Sequence, residues 1–281
     1  MSVFRKAVVY LLAALPAVAQ SQAFVTVAIR PARSADPRNE RLRVLPNGDL
    51  MASAVPVIWL LSEAYDVPVN PSPRLSRLPD WTVRERYDIE AKAPANAIPP
   101  SLRYGEMRSR VKPMIRGLLA DRFRLGLRIE NKKMFVYALV VASGGPKLQK
   151  SASAEKDCIV DSLWRSSPID PEACHNFVGG WGHPLNAKAI DMDDLAHYME
   201  NWTDLPVVNH TALSGLFAVH TEGWAPMRLP PPPPNVTPAA NPFAGLPTIF
   251  TVLGKLGMEL KRQQDILPVY TVERIERPSV N

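Results

Sequence analysis

Apolar and polar residues alternate from Phe123 to Leu127 and again from Leu256 to Leu260. Each run leads through a charged stretch into a Val-Tyr pair, Val136-Tyr137 and Val269-Tyr270. A period of two marks half-buried strands. The polar stretches Asn131–Lys133 and Gln264–Asp265 stand where the chain is expected to turn, so the pattern predicts a β-hairpin in each place. The two segments align without a gap from Phe123 and from Leu256, and the likeness extends backwards. Val57, Leu60, Leu61 and Ala64, like Met192, Leu195, Ala196 and Met199, recur at i, i+3, i+4, i+7, the spacing of one apolar helix face. Asp191 caps the second of these helices, with Asp193 and Asp194 in its first turn; Ser53 with Pro56 starts the first. A strand follows each helix, with Tyr87, Ile89 and Ala91 or Phe217, Val219 and Thr221 on one face.

Asn47-Gly48, flanked by Leu42, Val44 and Leu50, is a strong hairpin signal ahead of the first helix. "FVGGWGHPLNAK" takes its place in the second half. Met107, Val111, Met114, Ile115 and Leu118 predict a further helix, which Pro113 is expected to kink or end; "TIFTVLGKL" is its shorter counterpart. The pattern as a whole predicts an α+β fold of two tandem homologous modules, residues 24–150 and 175–281, with mixed or antiparallel sheets. Each runs hairpin, helix, strand, helix, hairpin. An inter-module loop, 151–174, joins them, and a proline-rich insertion at 228–242 is expected to be extended and solvated.

The N-terminus changes the compartment. Arg5 and Lys6 precede an apolar run, Ala7 to Ala19, that ends in small residues, the composition of a secretory signal peptide over residues 1–23, cleaved between Ala19 and Ala23. The run is shorter than the roughly 20 residues of a membrane span, so the mature chain is expected to be soluble and periplasmic or secreted. The 33 basic and 27 acidic residues give a net charge of +6, which falls to +4 once Arg5 and Lys6 are removed. The charges are interspersed, and no basic run with interleaved aromatics marks a nucleic-acid groove.

Only two cysteines are present, Cys158 and Cys174. In an oxidising compartment they are expected to form a disulfide across the inter-module loop. A metal site adding His175 and His183 is the competing reading; it lacks close ligand spacing.

No H-E-x-x-H, G-x-S-x-G or phosphate-binding glycine loop appears, and no catalytic residue, metal or cofactor is assigned. Two pairs carry the alternative of an envelope hydrolase. His220 with Glu222 could serve as a base and its orienting carboxylate. Asp88 and Glu90, on one strand face, could raise one another's pKa. For both, a solvated outer face is the plainer reading. Trp59, Trp81, Trp164, Trp181, Trp202 and Trp224 could form a binding platform, against the alternative that they widen the core.

"FVTVAIRP", "WTVRERYDIEAKAP", "LLADRFRLGLRIENKKMFVYALVVASGGPKL", "LPVVNHTALSGLFAV" and "PVYTVERIERPS" resemble an acidobacterial soil-associated exported protein family, a domain of unknown function, from Phe24 to the C-terminus. The chain departs from the family pattern at Phe217-Ala218-Val219, where Y-D-F is usual. The resemblance implies export and an α+β fold and carries over no catalytic residue. Some family members look fused to metallopeptidase-type sensors, which associates the family with sensing. The expected role is a non-enzymatic binding or sensing module of the cell envelope, whose partner is an envelope protein or peptide added as a strand to a free sheet edge.

Overall fold

The computed structural model describes residues 23–33, 39–70, 72–99, 102–158, 173–180, 182–228 and 243–279. Residues 1–22, where a signal peptide is expected, the insertion from 229 to 242, loop residues 159–172, and Trp164 and Trp181 lie outside the described residues.

In chain order the elements are β1 (Thr26–Pro31), β2 (Arg41–Val44), β3 (Leu50–Val55), α1 (Val57–Tyr65), β4 (Leu75–Ser76), α2 (Trp81–Arg84), β5 (Tyr87–Lys92), α3 (Tyr104–Phe123), β6 (Gly126–Val141), β7 (Gln149–Lys150), β8 (Asn186–Ile190), α4 (Met192–Glu200), β9 (Val207–Asn209), β10 (Phe217–His220), α5 (Ile249–Lys255) and β11 (Met258–Arg274). They form an α+β fold with sheets ordered β1-β5-β3-β2, β7-β10-β8 and β4-β11-β6-β9. No helix among the described residues is long and apolar enough to cross a membrane.

The alternation in β2, β3 and β5 puts Leu42, Val44, Leu50 and Ile89 into a first core against α1 and α3. Gly48 makes the β2–β3 turn at φ +92°, and a Cβ there would stand 2.7 Å from Ile98, so only glycine fits. α1 begins directly after Pro56, which offers no side-chain cap. Ser53, expected to help start it, is paired with Arg41 in the hairpin instead. α3 continues through Pro113. A second core gathers Leu185, Ile190, Leu195, Met199, Phe217, Val219, Leu253 and Trp224. Trp224 is fully buried, and Trp59, Trp81 and Trp202 pack half-buried against the two cores, which favours core over platform.

The two hairpins expected at Asn131–Lys133 and Gln264–Asp265 do not form. Both polar stretches lie inside long strands, and β6 pairs antiparallel with β11 from Gly126↔Arg274 to Val141↔Met258. The polar residues mark the middle of this ribbon, where Ile129, Phe135 and Ile266 are also exposed, and neither stretch has the glycine that a tight two-residue turn favours. A local hairpin would give each strand a few pairs, whereas mutual pairing satisfies the backbone along its whole length. Lys133 sits opposite Ile266, and these are the residues that the sequence match equates.

Connectivity is symmetric about that pair. After α1 the chain crosses over, and β4 joins β11 in parallel; after α4 it crosses the other way, and β9 joins β6 in parallel. β3 pairs with β5 and β8 with β10, and β1 and β7 take the outer positions on β5 and β10. A bridge from Val178 to Asn186 stands where β2 stands in the first half.

Each half thus completes its central sheet with strands of the other. Residues 23–150 produced alone should lack a cooperative urea transition and aggregate on gel filtration, while the whole chain unfolds in one transition. A lone half as stable as the whole would refute this dependence.

Candidate functional site

The crossovers meet at the end of α4. Asn201 Oδ1 accepts from Val69 N at 3.0 Å, and Asn70 Nδ2 donates to Asn201 O at 2.7 Å. Beside them Arg74 Nη1 donates to both carboxylate oxygens of Glu200, at 3.1 and 3.0 Å. Their side chains are 10% and 3% exposed. Burial raises the Glu200 pKa, and the Arg74 guanidinium offsets part of that rise.

A cleft of about 680 Å³ opens along this seam, walled by α1, the start of α3, the segment at His175 and α4. α1 contributes Glu63, which is buried, and ends at Asp66, in the left-handed region at φ +50°. Arg108 of α3 lies 3.5 Å from the carboxylates of both Glu63 and Asp66, and Lys112 Nζ lies 2.5 Å from Asp66 Oδ2. Burial pushes Asp66 up, but the Lys112 hydrogen bond and the two cations hold its carboxyl below the usual range.

The opposite wall is the N-terminus of α4. Asp191 Oδ1 accepts from Asp194 N at 2.7 Å, and Asp194 Oδ2 accepts from Asp191 N at 3.1 Å, a reciprocal capping box. The same Asp194 oxygen lies 2.5 Å from His175 Nδ1, and His175 Nε2 lies 3.1 Å from Glu155 Oε2. The imidazole, 3% exposed, stacks on Tyr104 with centroids 3.9 Å apart and planes 5° from parallel. Arg108 lies over the Tyr104 ring at 5.8 Å. Burial works against the imidazolium, but the Asp194 hydrogen bond, with the charges of Asp194, Glu155 and Asp191, raises His175 above the ordinary histidine value. Burial and the neighbouring Asp194 charge push Asp191 up to about 6.

Cys158 and Cys174 are joined, with Cα atoms 5.6 Å apart. The disulfide anchors both Glu155 and His175 next to their partners, and neither sulfur is left as a thiolate for the competing metal reading. His183 is exposed on its own turn, and the ring contacts of His175 go to carboxylates and Tyr104. His175, Asp191 and Asp194 do place donor atoms within 4.8 Å of one another, although both imidazole nitrogens are already hydrogen-bonded.

The residue pairs read as possible catalysts do not converge. His220 Nδ1 lies 2.8 Å from Asn186 Oδ1, while Glu222 turns to Lys255. Asp88 Oδ1 accepts from Ala54 N at 2.8 Å, where β3 bulges, and Glu90 is exposed. The cleft residues Glu63, Tyr104, Arg108 and Glu200 did not emerge from the sequence. The available signal was a glutamate within the apolar helix "VIWLLSEAY".

Three outcomes follow from these charges. Glu200→Ala should cost about 3–5 kcal/mol, because it strands a buried guanidinium, whereas Arg74→Met with Glu200→Leu should cost far less; urea melts of the three variants decide it. His175 has a raised folded pKa, so its stabilisation is complete below its unfolded value of 6.5 and is lost as pH rises through the folded value. The Tm advantage of wild type over His175→Gln should therefore shrink from pH 6 to pH 9. Asp191 is also raised, so the fold loses stability between pH 3.8 and about 6 as it ionises. Asp191→Asn, which keeps the cap, should raise stability at pH 7 by on the order of 1 kcal/mol after solvent screening. A Tm advantage flat across pH, or an Asp191→Asn variant less stable at pH 7, would contradict these assignments.

Residues 58–275 match the family model described as "Protein of unknown function (DUF3738)". No curated protein and no solved structure matches the chain. The match covers most of the chain, from α1 to the residue after β11, and therefore includes both walls of the cleft and both strands of the ribbon: the protein belongs to the DUF3738 family of proteins of unknown function.

Proposed function

We propose that the protein is a non-enzymatic binding or sensing module of the cell envelope, exported by its N-terminal segment and built from two tandem copies of one α+β module. Its ligand sits in the cleft between the halves. The basic start and small-residue end of segment 1–23, together with the disulfide, support export. The shared element order supports the tandem origin. The ligand reading rests on one observation: the cleft has more carboxylates than cations to answer them.

Arg108 and Lys112 are answered by Glu63 and Asp66, Arg74 by Glu200, and His175 by Asp194 and Glu155. Asp191 and Asp193 face no cation within ion-pair distance among the described residues; Asp191 Oδ1 accepts from Asp194 N and Asp193 Oδ1 from Asn209 Nδ2. The rings of Phe177 and Tyr198, stacked at 4.8 Å, line the same cleft. Carboxylates beside aromatic faces complement a protonated amine. Catalysis is less well supported, because both His175 nitrogens are committed to carboxylates and no lone pair is free to act as a base.

Titration calorimetry with spermidine and with a Lys-Lys dipeptide tests the reading. Wild type should bind both at pH 7.5, more weakly as salt rises and more weakly below about pH 6, where Asp191 protonates. Asp191→Asn with Asp193→Asn should lose about tenfold or more in affinity. Equal binding by that variant, or a preference for an Asp-Asp dipeptide over Lys-Lys, would sink the assignment.

A further inference from the structure

The ribbon has two edges that its neighbours leave mostly uncovered. β9 reaches only Tyr137–Leu139 of β6, and β4 only Tyr270–Thr271 of β11. Orientation along each edge follows from the crossover bonds. Tyr137 N donates to Pro206 O, and Tyr270 N donates to Arg74 O, so odd residues of β6 and even residues of β11 face outward. Among the described residues, β11 has no strand partner from Leu260 to Ile266 on that side. Ile266 is 64% exposed. A row of free backbone donors and acceptors ending in an exposed isoleucine is a template for another strand.

We infer that β11 is a self-association edge: two copies of this chain pair their β11 strands antiparallel, centred on Gln263, into a continuous β6-β11-β11-β6 ribbon.

The charge pattern favours a second copy as the occupant and Gln263, over Arg262 or Asp265, as the centre. With Gln263 opposite itself, each Lys261 faces the Asp265 of the other copy, each Leu260 faces Ile266, and each Arg262 faces Gln264. The pairing is isologous, so every favourable contact occurs twice. Centring on Arg262 sets that residue against itself and Glu259 against Asp265. Centring on Asp265 opposes two carboxylates. The even positions that meet in the Gln263 register are those whose backbone groups point outward, so the ladder is hydrogen-bonded in phase with the existing sheet. Ile266 N is the exception, since it now donates to Asp265 Oδ1 at 2.8 Å, a bond that pairing exchanges for one between strands. The corresponding edge of β6 cannot do the same: centred on Glu130, it sets Arg128 against Lys132 and two glutamates against each other, and like charges directly opposite destabilise. The seven-residue contact is small beside stable dimer interfaces, so association is weak and depends on concentration.

Sedimentation velocity across a concentration series of the chain tests the inference. Wild type should shift from monomer towards dimer. Lys261→Asp and Asp265→Lys, each setting like charges opposite in both pairs, should each weaken self-association by about tenfold or more. Mixed one to one, the two variants should dimerise with each other, since one carries carboxylates and the other ammonium groups at both positions. A misfolded variant cannot be rescued by mixing, so recovery in the mixture separates charge pairing from damage to the Asp265–His210 contact, 3.1 Å in the folded chain. A wild type monomeric at all concentrations, including one that captures only a foreign extended peptide, overturns the inference. So does a dimer indifferent to both substitutions or one abolished instead by Arg128→Glu.

Discussion

The pairing of β6 with β11 holds this molecule together. It is the longest ladder in the fold, and it joins residues more than a hundred positions apart, so the loop-closure entropy is large and must be recovered by a long run of contacts. The ends of the ribbon are where the contacts lie. At one end Tyr137, Leu139, Met258 and Leu260 belong to the second core; at the other, Tyr270 is buried and packs on Tyr65 of α1. The middle is left polar and wet. Each crossover then adds its short strand to the strand of the opposite half, which makes independent folding of the halves costly.

The same crossing buries one charged pair almost completely. Glu200 lies at the end of α4, and its partner Arg74 comes from the first half. Arg108 from α3 faces acids of α1, and His175 brings Asp194, Glu155 and Tyr104 together. Buried ion pairs contribute little to stability compared with apolar packing but penalise every arrangement that separates the partners. For Arg74 and Glu200 that penalty falls on any misalignment of the two halves. Ribbon and ion pairs thus divide the work: the ladder supplies stability and the charges supply register.

Much of the fold was legible in the sequence. The apolar stripes of α1 and α4, the Asp191 cap, the Asn47-Gly48 turn and the strands at Tyr87 and Phe217 stand where the pattern placed them, because each is decided by residues within a few positions. The hairpins failed for the opposite reason. Alternation identifies a strand but says nothing of its partner, and the polarity of Asn131–Lys133 reads the same in a turn as in an exposed ribbon. The disulfide was legible because two cysteines leave only one pairing. The cleft was not. Glu63, Tyr104, Arg108, His175 and Asp194 come from separate elements, and only the tertiary fold brings them within bonding distance.

Where the two halves differ is more informative than where they agree. α1 starts behind Pro56 with no acidic residue in its first turn, while α4 starts with Asp191 and carries Asp193 and Asp194. The N-terminus of the first helix therefore presents no counterpart to the Asp191–Asp194 wall of the cleft. The Cys158–Cys174 bridge of the inter-module loop and the left-handed His175, φ +59°, likewise have no counterpart in the first half. Features shared by both halves are accounted for by packing: apolar stripes, strand order, the crossing of short strands. The features present once have no such packing explanation, and they converge on one face of one helix terminus. Burying Asp191 beside the Asp194 charge costs stability, as the raised Asp191 shows, and that cost falls on the element in which the two halves differ.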